Sequence, residues 1–175
     1  VATSAGADAV SAFEAAGGIT EADTWRVTTS FTGGVNPITA NWERDDSYGN
    51  GLLGTGMSES SGIFTFPSTG YWLVDYHAKC SLDGTSNYNN YAIRVSVDNG
   101  ASFSEAAYGC AHLNEVGANH VAGAHSSKIF SVSSITGGTT FQVAFMAEVH
   151  NASTTTFADS TTNITYATFI RLGDV

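Results

Sequence analysis

Five histidines, His77, His112, His120, His125 and His150, are the residues of this 175-residue chain best suited to metal or acid–base chemistry. None belongs to HxH, HExxH or another close ligand pair. His120 and His125 sit five apart in a Gly/Ala-rich segment, so the histidines read as solvated or hydrogen-bonded side chains. Asp45, Asp46, Asp83, Asp98 and Asp159 fall between apolar stretches, where Asp most often forms turns. The D-x-D-x-D-G spacing of a calcium loop is absent, which leaves only calcium at the surface open. G-x-S-x-G, a Cys/His nucleophile frame and a framed pair of glycosidase carboxylates are also missing. The expectation is therefore a non-enzymatic protein with no catalytic residue, no metal ligand and no cofactor.

Recognition chemistry is easier to find. The stretch SLDGTSNYNNY, residues 81–91, mixes Tyr and Asn, which give flat apolar area and adaptable hydrogen bonds at low entropic cost. It reads as a loop suited to carbohydrate or protein contact, with Tyr88 as stacking platform and Asn87, Asn89 and Asn90 as hydrogen-bond partners. A plain polar connector is the alternative. Tyr48, in the acidic stretch that begins at Asp45, is the second candidate. Asn151-Ala152-Ser153 and Asn163-Ile164-Thr165 match glycosylation sequons, the second inside a strand-like pattern.

The charge balance narrows the partners. Sixteen acids against six Lys and Arg give a net charge of −10, which disfavours nucleic acid and anionic membrane surfaces. No apolar run approaches the roughly 18 residues of a membrane span. The chain opens on Val1 without a basic stretch leading into an apolar one, so it is expected to be a processed or excised piece. Cys80 and Cys110 form no CxxC pair; one bridge or two buried free thiols both fit.

The elements that position these residues are strands. Residues 1–20, rich in Ala and Gly, read as an arm or connector, and residues 21–175 as one domain. Trp25–Phe31, Asn41–Arg44, a bent edge strand over Leu52–Met57, and segments around Phe64, Trp72–Cys80, Tyr91–Val97, Glu105–Leu113, Ser127–Ile135, Thr139–Val149 and Asn163–Leu172 follow a period of two. Trp72, Val74, Tyr76, Ala78 and Cys80 share an uncharged face and are assigned to the core, with Phe64, Phe66, Phe141, Val143 and Phe145. His77 falls on the opposite face, as a surface or subunit-contact residue. Asn99-Gly100 is a strong hairpin signal, and Gly137-Gly138 a tight turn. Eight to ten antiparallel strands without a useful helix predict an all-β sandwich of the jelly-roll kind.

Gly62 to Ala78 follows G-x-F-x-x-P-x-x-G-x-W-x-x-x-Y-H-A and resembles the C1q/TNF-like family. Ser127–Val132, the Gly137-Gly138 turn and Phe141–Phe145 resemble that family's penultimate strand pair. Ile164–Leu172 resembles its last strand, with Thr168 where the family usually has Gly and Leu172 where it usually has Tyr. The resemblance implies a jelly roll that associates as a homotrimer. The Gly/Ser/Thr/Asn-rich, weakly charged style is also similar to C-terminal modules of bacteriophage tail fibres and virion appendages. That likeness implies a viral, extracellular module which meets other virion proteins through its N-terminal arm and a host-surface glycan or protein through its loops. A purely structural capsid or fibre protein, or a fragment of a polysaccharide-degrading enzyme, is the alternative.

Overall fold

The computed structural model describes residues 18–49 and 52–175. Ten antiparallel strands account for its regular structure: β1 (Ala22–Val27), β2 (Phe31–Thr32), β3 (Trp42–Arg44), β4 (Ser58–Ser60), β5 (Ile63–Thr65), β6 (Gly70–Ser96), β7 (Ser104–Val132), β8 (Gln142–Val149), β9 (Thr155–Phe157) and β10 (Tyr166–Gly173). Among the described residues the only helical element is a three-residue 3-10 turn, Gly137–Thr139, at the expected glycine pair, and no helix is long and apolar enough to cross a membrane. Most of the arm expected over residues 1–20 lies outside the described residues. Residues 18–20 are exposed and irregular.

β6 and β7 organise the fold. They pair with each other from Gly70↔Val132 at one end to Val95↔Ser104 at the other. Along Tyr71–His77, β6 also pairs with β10, which continues through β1 to β3. Along Asn89–Ser96 it pairs with β8, which continues through β5 to β4. One hairpin therefore supplies two strands to each sheet of the sandwich. The bend between the sheets coincides with register shifts at Leu82/Gly84 and Ser86/Asn89. A β-bulge adds a residue to one strand and increases its local twist, which lets a strand leave one sheet and join another. β9 closes this corner by pairing with Lys79–Ser81.

Several expectations change here. Residues 81–91 are not a loop but the bulged middle of β6, and His120 and His125 lie within β7. Polarity misled at this point because Ser86 and Asn89, although buried, satisfy each other: the Ser86 hydroxyl donates to Asn89 Oδ1 (2.9 Å), and Asn89 Nδ2 donates to the Ala111 carbonyl (3.1 Å). The first strand ends at Val27 rather than running to Phe31. The edge strand expected over Leu52–Met57 reduces to one bridge, Ala22↔Leu53, and the edge itself is β4. Cys80 and Cys110 are free thiols, the first buried and the second exposed.

All ten residues assigned to the core are buried. The even-numbered side chains of β6 from Trp72 to Cys80 meet aromatic side chains from both sheets. Phe64 packs edge-on against Trp25, Trp42 and Phe145, at centroid distances of 5.5, 5.1 and 5.4 Å. Phe66 sits between Trp72 (5.2 Å) and Phe141 (5.8 Å). Edge-to-face pairs add about 0.5–1.5 kcal/mol each to the burial of their area. The Gly62–Cys80 segment is thus compact because Phe64, Phe66 and Trp72 all enter one core from two strands joined by a short corner.

Two positions depend on local backbone chemistry. Asn99 and Gly100 have φ of 58° and 80°, the left-handed pair required by a tight hairpin turn, here between β6 and β7. Asp98 braces that turn, accepting from Ser96 Oγ (2.7 Å), Ser102 Oγ (2.6 Å) and the Ser102 amide (3.0 Å). At the open side of the sandwich the two halves of β7 approach closely. A Cβ on Gly109 would lie 2.0 Å from the carbonyl oxygen of His125, so only glycine lets the halves meet.

Trp72→Ala should cost about 3–5 kcal/mol in denaturant melts, the usual scale for removing a buried aromatic; a loss below about 1 kcal/mol would mean that its ring is not in the core. Asp98 gives a pH signature. The Ser102 and Ser96 hydroxyls and the Ser102 amide hold its carboxyl down to about 2 from an ordinary 3.8. Its contribution is complete above that ordinary value and is lost as the pH falls towards about 2. Asp98→Asn should therefore flatten the loss of stability across that range, and an unchanged acid limb would disprove the brace.

Candidate functional site

Among the described residues the aromatic displayed most openly is Tyr48, with 91% of its surface exposed. Its backbone is left-handed, φ 54°, an uncommon conformation for a residue other than glycine and one that must be held by its surroundings. The anchor is Arg26. Its guanidinium is fully buried and donates to Asp45 (2.7 Å), Glu43 (2.8 Å) and Asp46 (2.6 Å). Asp45 in turn accepts from the Ser47 amide (3.0 Å) and from Asn163 Nδ2 (2.6 Å). The buried cation thus draws the acidic loop onto the sheet, and Tyr48 stands at its tip.

Beside Tyr48 lies a cleft of about 390 Å³ lined by Asp45, Ser47, Tyr48, Thr161, Thr162 and Asn163. Asp159 shapes its far wall by accepting from the amides of Thr161 (2.7 Å) and Thr162 (2.8 Å). An exposed ring beside hydroxyls, amides and carboxylates is suited to stacking and hydrogen bonding with a polar ligand. The second sequon asparagine, Asn163, is thereby tied into this cleft.

The stretch 81–91 divides. Asn87 is exposed and Tyr88 is 37% exposed, its ring edge-on to His150 at 5.3 Å. Asn90 donates to Glu148 Oε2 (3.1 Å) at the rim of a groove of about 430 Å³, where Arg94 bridges Asn36 and the Phe103 carbonyl. Asn89 does not take part, because its amide is turned inward between β6 and β7. The structure thus brings Tyr88 and Asn90 beside β8, leaves Asn87 exposed in the adjoining bulge, and places Tyr48 in a different loop.

A cluster that the sequence did not disclose lies on the outward face of the first sheet. His77 and His125 are cross-strand partners on β6 and β7, and Asp75 is the next residue along the same face. His77 Nε2 lies 2.7 Å from Asp75 Oδ2, and His125 Nε2 lies 2.5 Å from Asp75 Oδ1. The imidazoles stack at 4.3 Å, and Tyr166 of β10 stacks on the far side of His77 at 4.8 Å. Partial burial pushes the Asp75 carboxyl up, but hydrogen bonds from His125, His77 and Ser127 outweigh it and hold the group below its ordinary value. Ligand-motif spacing fails here because Asp75 and His125 are 50 residues apart; only knowledge of the β6–β7 register would have joined them.

No protein-family model and no curated protein matches this sequence. Solved structures do match in fold. Eiger TNF from S. frugiperda superposes with a TM-score of 0.64 at 9% identity, over 88% of this chain and 93% of that one. Murine APRIL at pH 5.0 gives 0.61 at 10% identity, over 87% and 98%, and murine APRIL at pH 8.5 gives 0.58 at 9% over the same shares. Together with the two-sheet topology, these likenesses establish an all-β, TNF-like jelly roll.

Proposed function

We propose that this chain is a non-enzymatic binding module that assembles as a homotrimer and uses its loops to recognise a repeated glycan or protein on a cell surface. Its setting in this reading is extracellular, as part of a phage fibre or virion appendage. The observation that carries the recognition half is Tyr48: an almost wholly exposed ring at the tip of a loop anchored by a buried arginine, beside a polar cleft. A loop anchored in this way presents the ring from a set backbone position, so less backbone freedom is lost on binding and more of the contact energy survives as affinity. Three copies would add avidity of about 10²–10⁴-fold over a single contact without new chemistry.

The self-association half is supported by the outward face of the first sheet. Tyr71 and Ile129 are 45% and 56% exposed there, beside the half-buried Leu73 and Ile170. At a net charge of −10 per chain, association needs a face that is apolar or internally neutralised, because unpaired buried charges are costly. The apolar side chains meet that need, and Asp75 is not left unpaired on this face, being hydrogen-bonded to two imidazoles.

Light scattering should give three times 18.2 kDa for the purified domain, and Ile129→Lys should dissociate it into folded monomers; a wild-type chain that stays monomeric at micromolar concentration would refute the assembly. For recognition, Tyr48→Ala should leave stability within about 0.5 kcal/mol, as is usual for exposed loop positions, while reducing adhesion of the trimer to its target cells. Arg26→Met should lower both, with a stability loss towards the lower end of about 3–5 kcal/mol, because Glu43 and Asp46 still reach water when the buried cation is gone. Adhesion unchanged in Tyr48→Ala would exclude this loop. The triple variant Asn87→Ala, Tyr88→Ala, Asn90→Ala then tests the β6 surface in the same assay.

A further inference from the structure

The geometry points to a zinc-class transition-metal site built by Asp75, His77 and His125 within one chain. Each residue offers one ligand atom, and these three atoms all lie within 4.8 Å of one another. Two imidazole nitrogens and one carboxylate oxygen suit a borderline divalent ion such as Zn²⁺, with open positions for water or another donor. The nitrogen donors argue against Ca²⁺ and Mg²⁺, which prefer all-oxygen sets. The inference does not rest on the proposed trimer, since one chain supplies all three donors.

Three features distinguish this cluster from surface histidines that merely meet. First, the backbone positions are fixed: β6 is paired on both sides here, with β10 and with β7, and His77↔His125 is a direct register pair. Second, both Nε2 atoms already turn towards the same carboxylate, at 2.7 and 2.5 Å. In the metal-free state one carboxylate holds both imidazoles through hydrogen bonds. A neutral imidazole that moves its proton from Nε2 to Nδ1 frees Nε2 as a ligand with no change in charge, so a metal can replace those hydrogen bonds after small side-chain rotations. Third, the rings are supported from outside. Tyr166 stacks on His77 with an interplanar angle of 10°, and the missing Cβ of Gly109 lets the backbone of His125 sit against the other half of β7.

The test is Zn²⁺ titration of chelator-stripped, full-length protein by calorimetry, run on wild type and on Ile129→Lys so that access is independent of assembly. One ion per chain is expected in both, with a melting temperature that rises with zinc concentration. Asp75→Asn and His125→Ala should each weaken binding at least about tenfold, whereas His150→Ala should leave it unchanged. A second readout uses the unmutated chain: Zn²⁺ should shift the imidazole NMR signals of His77 and His125 and leave those of His112 and His150 in place. Co²⁺ should give the visible bands of a site with nitrogen ligands. No heat and no selective imidazole shift with Zn²⁺ well above micromolar concentration would overturn the proposal. So would binding that survives in the Asp75→Asn, His125→Ala double variant.

Discussion

The structure depends on one constraint: β6 and β7 must remain paired while they pass from one sheet to the other. A flat hairpin of 27 and 29 residues would present two long edges and could not enclose a core. The bulges at Leu82/Gly84 and Ser86/Asn89 bend the hairpin, and each half then finds a different neighbour, β10 on one side and β8 on the other. The bend exposes polar backbone inside the fold, and buried Ser86 and Asn89 satisfy part of it. The asparagine expected to greet a ligand is instead a structural part of the corner.

Charge is handled in a similarly local way. An acidic chain with only six Lys and Arg has few cations with which to hold its acids, and two of them, Arg26 on β1 and Arg44 on β3, reach out to loops. Arg26 gathers Glu43, Asp45 and Asp46, while Arg44 binds Asp23 at 3.0 Å and donates to the Met57 carbonyl at 2.6 Å. Both arginines stabilise irregular segments packed beside β1, where no ladder of backbone hydrogen bonds could do so. On the outward face of the first sheet, where no arginine reaches Asp75, two imidazoles take that part.

The core was legible in the sequence because burial imposes a period of two, and Trp72, Val74, Tyr76, Phe141, Val143 and Phe145 obey it without interruption. The Asn99-Gly100 turn was legible because two successive positive φ values leave few residue choices. Strand continuity through 81–91 was not, because the signal for a loop is polarity and the signal for a bulged corner is the same polarity. Tyr48 was found from its acidic, glycine-flanked setting, but the residue that anchors its loop, Arg26, lies two elements away and reads in sequence as an ordinary strand residue. The histidine cluster was hidden more deeply, because it exists only after the β6–β7 register is known.

That last point has a wider consequence for sandwiches of this kind. A strand pair in register brings side chains directly opposite one another to within about 4.5–5.5 Å at Cβ, and the next residue on the same face stands within reach of both. Three donors can therefore converge from only two positions on one strand and one on its partner, with no ligand motif in the chain. Asp75, His77 and His125 meet this condition on a face whose other exposed residues include Tyr71 and Ile129. A polar centre inside an apolar border is costly to cover if its polar atoms are left unpaired, and the hydrogen bonds from both imidazoles to the one carboxylate pair them. The same arrangement that makes the face coverable is the one that converges three ligand atoms, so the capacity to associate and the capacity to hold an ion arise from a single register.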